Sequence, residues 1–355
     1  VDLSDQAAAE RPGEELNRVK IDEFIRAALP DLEGPLTVKQ FSTGYSNLTY
    51  LLTVGDREVV LRRPPFGYKA KSAHDMGREY RVLSALHPIF PYAPRPLAYT
   101  EDESILGAPF YIMERIKGII IHRDPPPGLT YTPDQAAGLC ENMLQVQLEF
   151  HNLDYQKAGL GNLGKPAGYV QRQVLGTNKR YRAARTPDAL DCEGLMTWLE
   201  ENMPPDTDAP CLIHNDFSLH NLVLDPEDPV RIIGVLDWEL TTVGDPFMDL
   251  GLSLSYWVQA DDPPEMDTLR NSPTNLPGML TRREMLDLYQ AKSGRRIDDF
   301  VFYYCFGLFR MAVVVQQMYY RYYHGQTRDQ RFKQMPQWVK VLEERAWRSI
   351  RSARI

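Results

Sequence analysis

The sequence predicts an α+β chain of two lobes: a small β-rich N-lobe near residues 35–116 and a larger, mainly helical C-lobe over 117–355. β-Prone runs and turn signals cluster before residue 118, and long apolar-periodic segments dominate after it. A compact β-like insert near 211–236 interrupts the helical half and is dense in Asp, Asn and His.

Residues 1–34 form an N-terminal arm and helix. The first 18 residues read as a mobile tail or short docking arm. Arg18–Leu29 reads as a short helix with apolar Val19, Ile21, Phe24, Ile25 and Leu29. Leu48–Val54 and Glu58–Arg62, joined by Gly55-Asp56-Arg57, predict a hairpin. A helix follows from about Ser72 to Leu86, where Glu79 borders the face formed by Met76, Tyr80 and Leu83. After a Pro-rich connection over Pro88–Pro96, Pro109–Ile116 reads as a strand. Thr132 as N-cap and Pro133 at N1 open a helix to Asn152. Leu190–Met203 is a further amphipathic candidate. Short strands are expected at Cys211–Ile213, Leu222–Leu224 and Val230–Leu236. Asp245 and Pro246 repeat the cap chemistry for a helix to about Val258. A long loop over 260–280 precedes three helices near 282–293, 298–324 and 329–352. No internal repeat is visible.

The bulk numbers exclude several classes. A net charge of −8 argues against a nucleic-acid binder, which normally carries a basic stripe. The four cysteines, Cys140, Cys192, Cys211 and Cys305, form no C-x-x-C pair, which argues against a zinc site or disulfide scaffold and for a reducing cytoplasm. Val1–Glu15 lacks the apolar stretch of a signal peptide. Phe300–Val315 is the most membrane-like segment, but Arg310 interrupts it and it falls short of the roughly 20 apolar residues of a span. It reads as a buried helix.

The chemistry concentrates in Leu212–Leu222. His214, Asp216 and Asn221 form H-x-D-x-x-x-x-N on a loop between two short apolar strands, and Asp237 follows at the end of the next strand. Phosphoryl transfer needs such a set: one carboxylate to orient the acceptor hydroxyl, plus an amide oxygen and a second carboxylate for Mg²⁺. The bland readings differ by residue. His214 reads as a buried scaffold histidine, and Asp245 as a helix cap. Asp249 reads as a residue favouring the helix dipole. Arg310, on an apolar helical face, calls for an anionic partner, an internal carboxylate more often than substrate. The aromatic runs Phe300–Phe309 and Tyr319–Tyr323 read as core and interface, with an apolar acceptor pocket as the alternative.

Phe41–Tyr50, Arg78–Leu83, Leu212–Leu222, Val235–Leu250 (VLDWELTTVGDPFMDL) and Phe302–Gln317 together resemble the aminoglycoside phosphotransferase-like branch of the protein-kinase-like superfamily. Within it they resemble most the phosphotransferase domains of acyl-CoA dehydrogenase family members ten and eleven. The resemblance spans roughly residues 35–330 and implies a bilobal protein-kinase-like fold. It also implies Mg²⁺ and ATP (or GTP) as cofactors, a small-molecule hydroxyl acceptor, and these roles. Asp216 is the catalytic base, and Asn221 and Asp237 are metal ligands. Ser46 and Asn47 lie in the phosphate-covering loop. Arg62 pairs with the nucleotide phosphates, and Glu79 is its helix-borne ion-pair partner. Glu114 and Ile116 belong to the hinge whose backbone meets adenine. Asn215 stands where the family usually has Gly, Ser218 and His220 stand where Arg and Asp are common, and Arg62 replaces a lysine.

The implied activity is transfer of a γ-phosphate to a hydroxyl of a hydroxy acid, a hydroxyacyl thioester or an aminoglycoside-like molecule. The segment from Asp237 to Asp245 is too short for a protein-kinase activation loop. The alternative is a nucleotide-binding pseudokinase or partner-binding module, for which Arg62 in place of Lys is the best support.

Overall fold

The computed structural model describes residues 3–41, 47–66, 75–327 and 329–355. The first elements in chain order are α1 (Arg18–Ala28), β1 (Leu36–Gln40), β2 (Leu48–Val54), β3 (Arg57–Arg63), α2 (Met76–Leu86), β4 (Pro96–Thr100), α3 (Glu103–Leu106) and β5 (Phe110–Glu114). Then come α4 (Pro133–His151), α5 (Tyr169–Ala183), α6 (Glu193–Glu201), β6 (Cys211–Ile213), β7 (Leu222–Leu224), β8 (Ile232–Val235) and β9 (Thr242–Gly244). The chain closes with α7 (Pro246–Ser255), α8 (Arg282–Ser293), α9 (Val301–Tyr323) and α10 (Met335–Ser352). Two compact units result. One combines Val1–Ile120, Lys157–Leu160 and Leu222–Leu240; the other combines Ile121–Gln156, Gly161–Asn221 and Thr241–Ile355.

In the first unit an antiparallel sheet has the order β1-β2-β3-β5-β4. The β2–β3 hairpin closes at Val54↔Arg57. Its Gly55 has φ +62°, and a Cβ there would meet the Glu33 carbonyl oxygen at 2.4 Å, so only glycine fits. Ile21 and Ile25 of α1 are fully buried in one cluster with Tyr50, Leu52, Leu61, Phe110 and Ile112. Each is worth about 1.5–3 kcal/mol relative to exposure. Because Leu61 faces α1, strand alternation turns Arg62 to the opposite face. There Glu79 of α2 meets it. Ala8 pairs with Gln40 and Leu16 is buried, so the described part of the N-terminal arm is docked rather than loose. The β7–β8 ribbon belongs to this unit and pairs with Ile119 through Leu224.

The second unit is helical apart from the β6–β9 ribbon. Thr132 and Gln135 form a capping box on α4, and Asp245 accepts from the Phe247 N–H at the start of α7. Helices α7 and α9 approach through glycines. A Cβ on Gly251 would lie 2.4 Å from the Tyr303 oxygen, and one on Gly307 would lie 2.5 Å from the Gly251 oxygen. Val301–Tyr323 is long and apolar enough to cross a membrane, yet 67% of its most apolar stretch is buried inside the protein. It serves as a core helix, as its sequence suggests.

Several elements differ from the sequence expectation. Helix α5 carries Thr177 and Asn178 on its buried face beside Val170, Val174 and Tyr181, which erases an apolar period. Strand β4 opens on a proline at the sheet edge and is only partly buried. The expected helix at 190–203 is confined to α6, the 329–352 helix begins as a 3-10 turn over Gln330–Gln334, and the 260–280 loop contains another at Pro264–Leu269. Helix α2 starts at Met76, and the expected start at Ser72 lies outside the described residues.

Candidate active site

In the first unit the site residues are organised by charge. Arg62 Nη1 lies 3.1 Å from Glu79 Oε1, and Arg62 Nη2 donates to Asp237 Oδ1 at 2.5 Å. Arg62 is 6% exposed and Glu79 1%, so neither is the solvated charge that an isolated strand-end Arg or helix Glu would be. Burial alone would lower the guanidinium's pKa, but the charges of Glu79 and Asp237 outweigh it and hold it well above its ordinary value. Burial pushes the Glu79 carboxyl up, with Arg62 opposing. Asp237 follows β8 with φ +68°, a left-handed conformation that costs a non-glycine residue on the order of 1 kcal/mol. The turn after it is held by Trp238, whose Nε1 donates to the Val235 oxygen at 2.8 Å. Asn47 is buried, and its Nδ2 donates to Glu239 Oε2 at 2.7 Å. Arg78 donates to the Glu239 carbonyl at 2.8 Å. Glu114 ends β5, its N–H donating to the Arg95 oxygen at 2.9 Å. Ile116 packs beside Gly234, where a Cβ would lie 2.8 Å from Ile116 Cδ1. Ser46 lies outside the described residues.

In the second unit the residues are organised by hydrogen bonds. Asp216 Oδ1 accepts from the Tyr256 hydroxyl at 2.8 Å, and Oδ2 accepts from Asn221 Nδ2 at 2.9 Å. Asn221 Nδ2 also donates to the Asp216 carbonyl at 2.9 Å. With its nitrogen so engaged, Asn221 offers Oδ1 as its remaining polar atom. His220 packs edge-to-face on Tyr256 at 5.6 Å, and Ser218 Oγ lies 2.9 Å from His220 Nδ1.

The loop itself hangs on Asp249, which is fully buried. Its Oδ1 accepts from the Asn215 N–H at 2.5 Å. Its Oδ2 receives His151 Nε2 at 3.0 Å and Gln147 Nε2 at 3.2 Å. A carboxylate cannot donate, so a proton sits on His151 Nε2, and the Tyr289 hydroxyl lies 2.8 Å from Nδ1. Burial would raise the Asp249 carboxyl, but the His151 hydrogen bond, His214 and the Asn215 N–H together hold it below the usual range. Asp249 is thus a brace for the loop rather than a residue that merely favours the helix dipole. Nothing in its spacing marked it, since its partners come from two distant segments, the loop and α4.

Asn215 has φ +64°. Glycine suits this left-handed position best, and asparagine is among the few other residues that tolerate it. Its Oδ1 accepts from Arg310 Nη1 at 3.0 Å and from the Tyr169 hydroxyl at 3.3 Å. Among the described residues, half-buried Arg310 therefore meets amide and carbonyl oxygens of Asn215, not the internal carboxylate expected of an arginine on an apolar helical face. His214 is buried against Phe217. Asp245 is the N-cap of α7.

The profile of the phosphotransferase enzyme family matches residues 37–285. Acyl-CoA dehydrogenase family member 10 of Mus musculus is 37% identical over 317 residues, covering 88% of this chain and 29% of that protein. The chain thus spans less than a third of that relative. A crystal structure from Ralstonia eutropha JMP134, provisionally described as an aminoglycoside phosphotransferase, is 30% identical with a TM-score of 0.78, covering 95% of this chain and 99% of that one. The GDP complex of wild-type aminoglycoside 2'-phosphotransferase-IIIa shares the fold at 15% identity, with a TM-score of 0.59 over 94% of this chain and 99% of that one. With a small antiparallel sheet, a mainly helical remainder and a family match over more than half its length, the chain belongs to the phosphotransferase enzyme family and has its protein-kinase-like fold.

Proposed function

We propose that the chain transfers the γ-phosphate of ATP or GTP to a hydroxyl of a small molecule, with Asp216 as the base that orients the hydroxyl and takes its proton. The observation that carries this reading is the Asp216 carboxylate itself. It is partly exposed, and Tyr256 and Asn221 donate to its two oxygens. A base fixed in this way meets the geometric demand of proton transfer.

Asn221 and Asp237 each contribute an oxygen ligand to Mg²⁺. The donor set fits: magnesium takes hard oxygen ligands and keeps several waters, so one amide oxygen and one carboxylate suffice. No cluster of three His, Cys, Asp or Glu side chains suited to another metal occurs among the described residues. When bound, the ion neutralises charge on the phosphates. Arg62 supplies a fixed cation for the nucleotide phosphates, aligned by Glu79. Ser46 and Asn47 cover the phosphates. Glu114 and Ile116 present the nucleobase edge, and among the described residues no hydrogen bond engages the Ile116 backbone. Residues 35–116 and 117–355 act as the two lobes. The GDP complex of the related aminoglycoside enzyme supports a nucleotide donor.

The test is γ-phosphate transfer from Mg-ATP to a panel of hydroxyl metabolites by wild type and Asp216→Ala. The variant is expected to lose about 10²–10⁴-fold in kcat while keeping its Mg-ATP thermal shift. Near wild-type turnover would remove Asp216 from the role of base. A Mg-ATP shift without transfer to any acceptor would favour the pseudokinase reading.

A further inference from the structure

Two stretches of the second unit are buried except for one residue each. Within 211–219 the exception is Asp216, and within 243–258 it is Tyr256. The two exceptions meet: the Tyr256 hydroxyl donates to Asp216 Oδ1 at 2.8 Å. His220, also half-buried, packs edge-to-face on the Tyr256 ring at 5.6 Å, and Ser218 Oγ lies 2.9 Å from His220 Nδ1. Solvent therefore reaches this part of the loop at the carboxylate, the phenol and the imidazole together.

The backbone around Tyr256 is pinned. Tyr256 is the C-cap of α7, a helix buried along its whole length. Ser255 Oγ donates to the Leu252 oxygen at 2.7 Å, Trp257 Nε1 donates to the Leu280 oxygen at 2.9 Å, and the Val258 N–H donates to Thr274 Oγ1 at 3.1 Å. Moving the hydroxyl thus needs only rotation of the Tyr256 side chain, at the cost of its bond to Asp216. Asp216 is also held from its other side: Oδ2 accepts from Asn221 Nδ2, which donates to the Asp216 carbonyl as well. With Oδ2 tied to Asn221, Oδ1 is the oxygen left for an incoming hydroxyl, and a hydroxyl already sits there.

We propose that Tyr256 sets the preference of the transfer for an organic hydroxyl over water: its phenol holds the place of the acceptor hydroxyl on Asp216 Oδ1 until an acceptor displaces it. The inference rests on the phosphotransferase reading above and concerns the same site. A half-buried base is open to water, and hydrolysis is the side reaction that a phosphotransferase must suppress. In hydrolysis the water oxygen bonds to the γ-phosphorus and the bond from that phosphorus to the β–γ bridging oxygen breaks. The water proton goes to Asp216, and nucleoside diphosphate and inorganic phosphate leave. In transfer the acceptor hydroxyl takes the part of water in each step. An acceptor turns the phenol aside with binding energy from its non-reacting parts, which water lacks. His220 supports the ring and keeps the phenol in place.

The experiment uses the full chain with Mg-ATP and no acceptor, and measures release of inorganic phosphate beside the Mg-ATP thermal shift. Tyr256→Phe is expected to keep the shift and to hydrolyse ATP about ten- to a hundredfold faster than wild type, the effect of removing one hydrogen bond to a charged group. His220→Ala keeps the phenol but loosens it, and should give a smaller rise of about two- to tenfold. With a panel of hydroxyl metabolites, Tyr256→Phe should form more inorganic phosphate per phosphorylated product and show a lower KM for each acceptor. Unchanged or slower hydrolysis in Tyr256→Phe with the shift kept overturns the inference, and transfer by wild type then leaves the phosphotransferase reading standing. Joint loss of hydrolysis, transfer and thermal shift in Tyr256→Phe also overturns it, because the residue then serves the fold. So does a phosphate found on Tyr256 in wild type, which would make the phenol an acceptor and not a cover. A thermal shift with neither hydrolysis nor transfer in wild type and both variants sinks the inference and the reading together.

Discussion

The two units hold their candidate site residues by different physics. In the first unit Arg62 is fixed between two carboxylates, Glu79 and Asp237. In the second unit one buried carboxylate, Asp249, gathers donors from the loop and from α4: the Asn215 N–H, His151 and Gln147. The first arrangement balances charges that are all on side chains. The second satisfies a backbone N–H that no side-chain truncation can delete. An ion pair can therefore be replaced as a unit, whereas a hydrogen-bonding hub cannot.

The largest effects should test that difference directly. Arg62→Met leaves Glu79 buried without its partner and is expected to cost about 3–5 kcal/mol in urea unfolding. Arg62→Met with Glu79→Leu should recover most of the loss, because an apolar pair of similar volume is often as stable as a buried ion pair. Asp249→Ala is expected to cost a similar amount, on the order of 3–5 kcal/mol, because the Asn215 N–H and His151 lose their acceptor, while Gln147 Nε2 keeps Ser253 Oγ at 3.1 Å. Adding His151→Leu should recover little of it, since the Asn215 N–H stays buried and unpaired. Full recovery in that second pair would erase the contrast between the units.

Acid titration sharpens it further, because the two carboxyls shift in opposite directions. Asp249 is held below the usual range. Its contribution is complete above the ordinary Asp value of about 3.9 and is lost as the pH falls through its depressed value. Glu79 is raised. Its contribution is complete below the ordinary Glu value of about 4.3 and is lost as the pH rises through its raised value. Unfolding free energy measured against pH should therefore lose its acid-side slope in Asp249→Asn. In Glu79→Gln it should lose the decline on the upper side. The same pH profile in both variants would contradict these assignments.

The smallest expected effect lies at Asn215. At φ +64°, Asn215→Gly removes backbone strain but also the acceptor for Arg310 and Tyr169. Asn215→Ala loses the acceptor and keeps the strain. Alanine is expected to be less stable than glycine by about 1 kcal/mol, read from paired thermal melts. Equal stabilities would mean that the left-handed backbone is not what selects the residue.

Much of this was legible in the residues. The β2–β3 hairpin, the Thr132 and Asp245 caps, the polar loop after Cys211–Ile213 and the helix at 282–293 follow from spacing within one or two turns of chain. Helix α5 was hidden because it buries Thr177 and Asn178. Strand β9 has three residues, too few for a pattern. At the site, Asp216, Asn221 and Asp237 stood out by type and spacing, whereas Asp249 looked like an ordinary first-turn acid.

The sequence by itself determined the periodic element types, the caps, and the concentration of oxygen-bearing side chains at 214–237, because each depends on neighbours close along the chain. Only the tertiary structure decided who partners whom. Arg62 and Asp237 are 175 residues apart in sequence; Arg310 and Asn215 are 95; Asp249 and His151 are 98. Periodicity decays over a few turns of helix or strand. The identity of a buried charge's partner is set by how distant segments pack, where desolvation makes each charge or donor depend on whatever the fold places within about 3 Å of it.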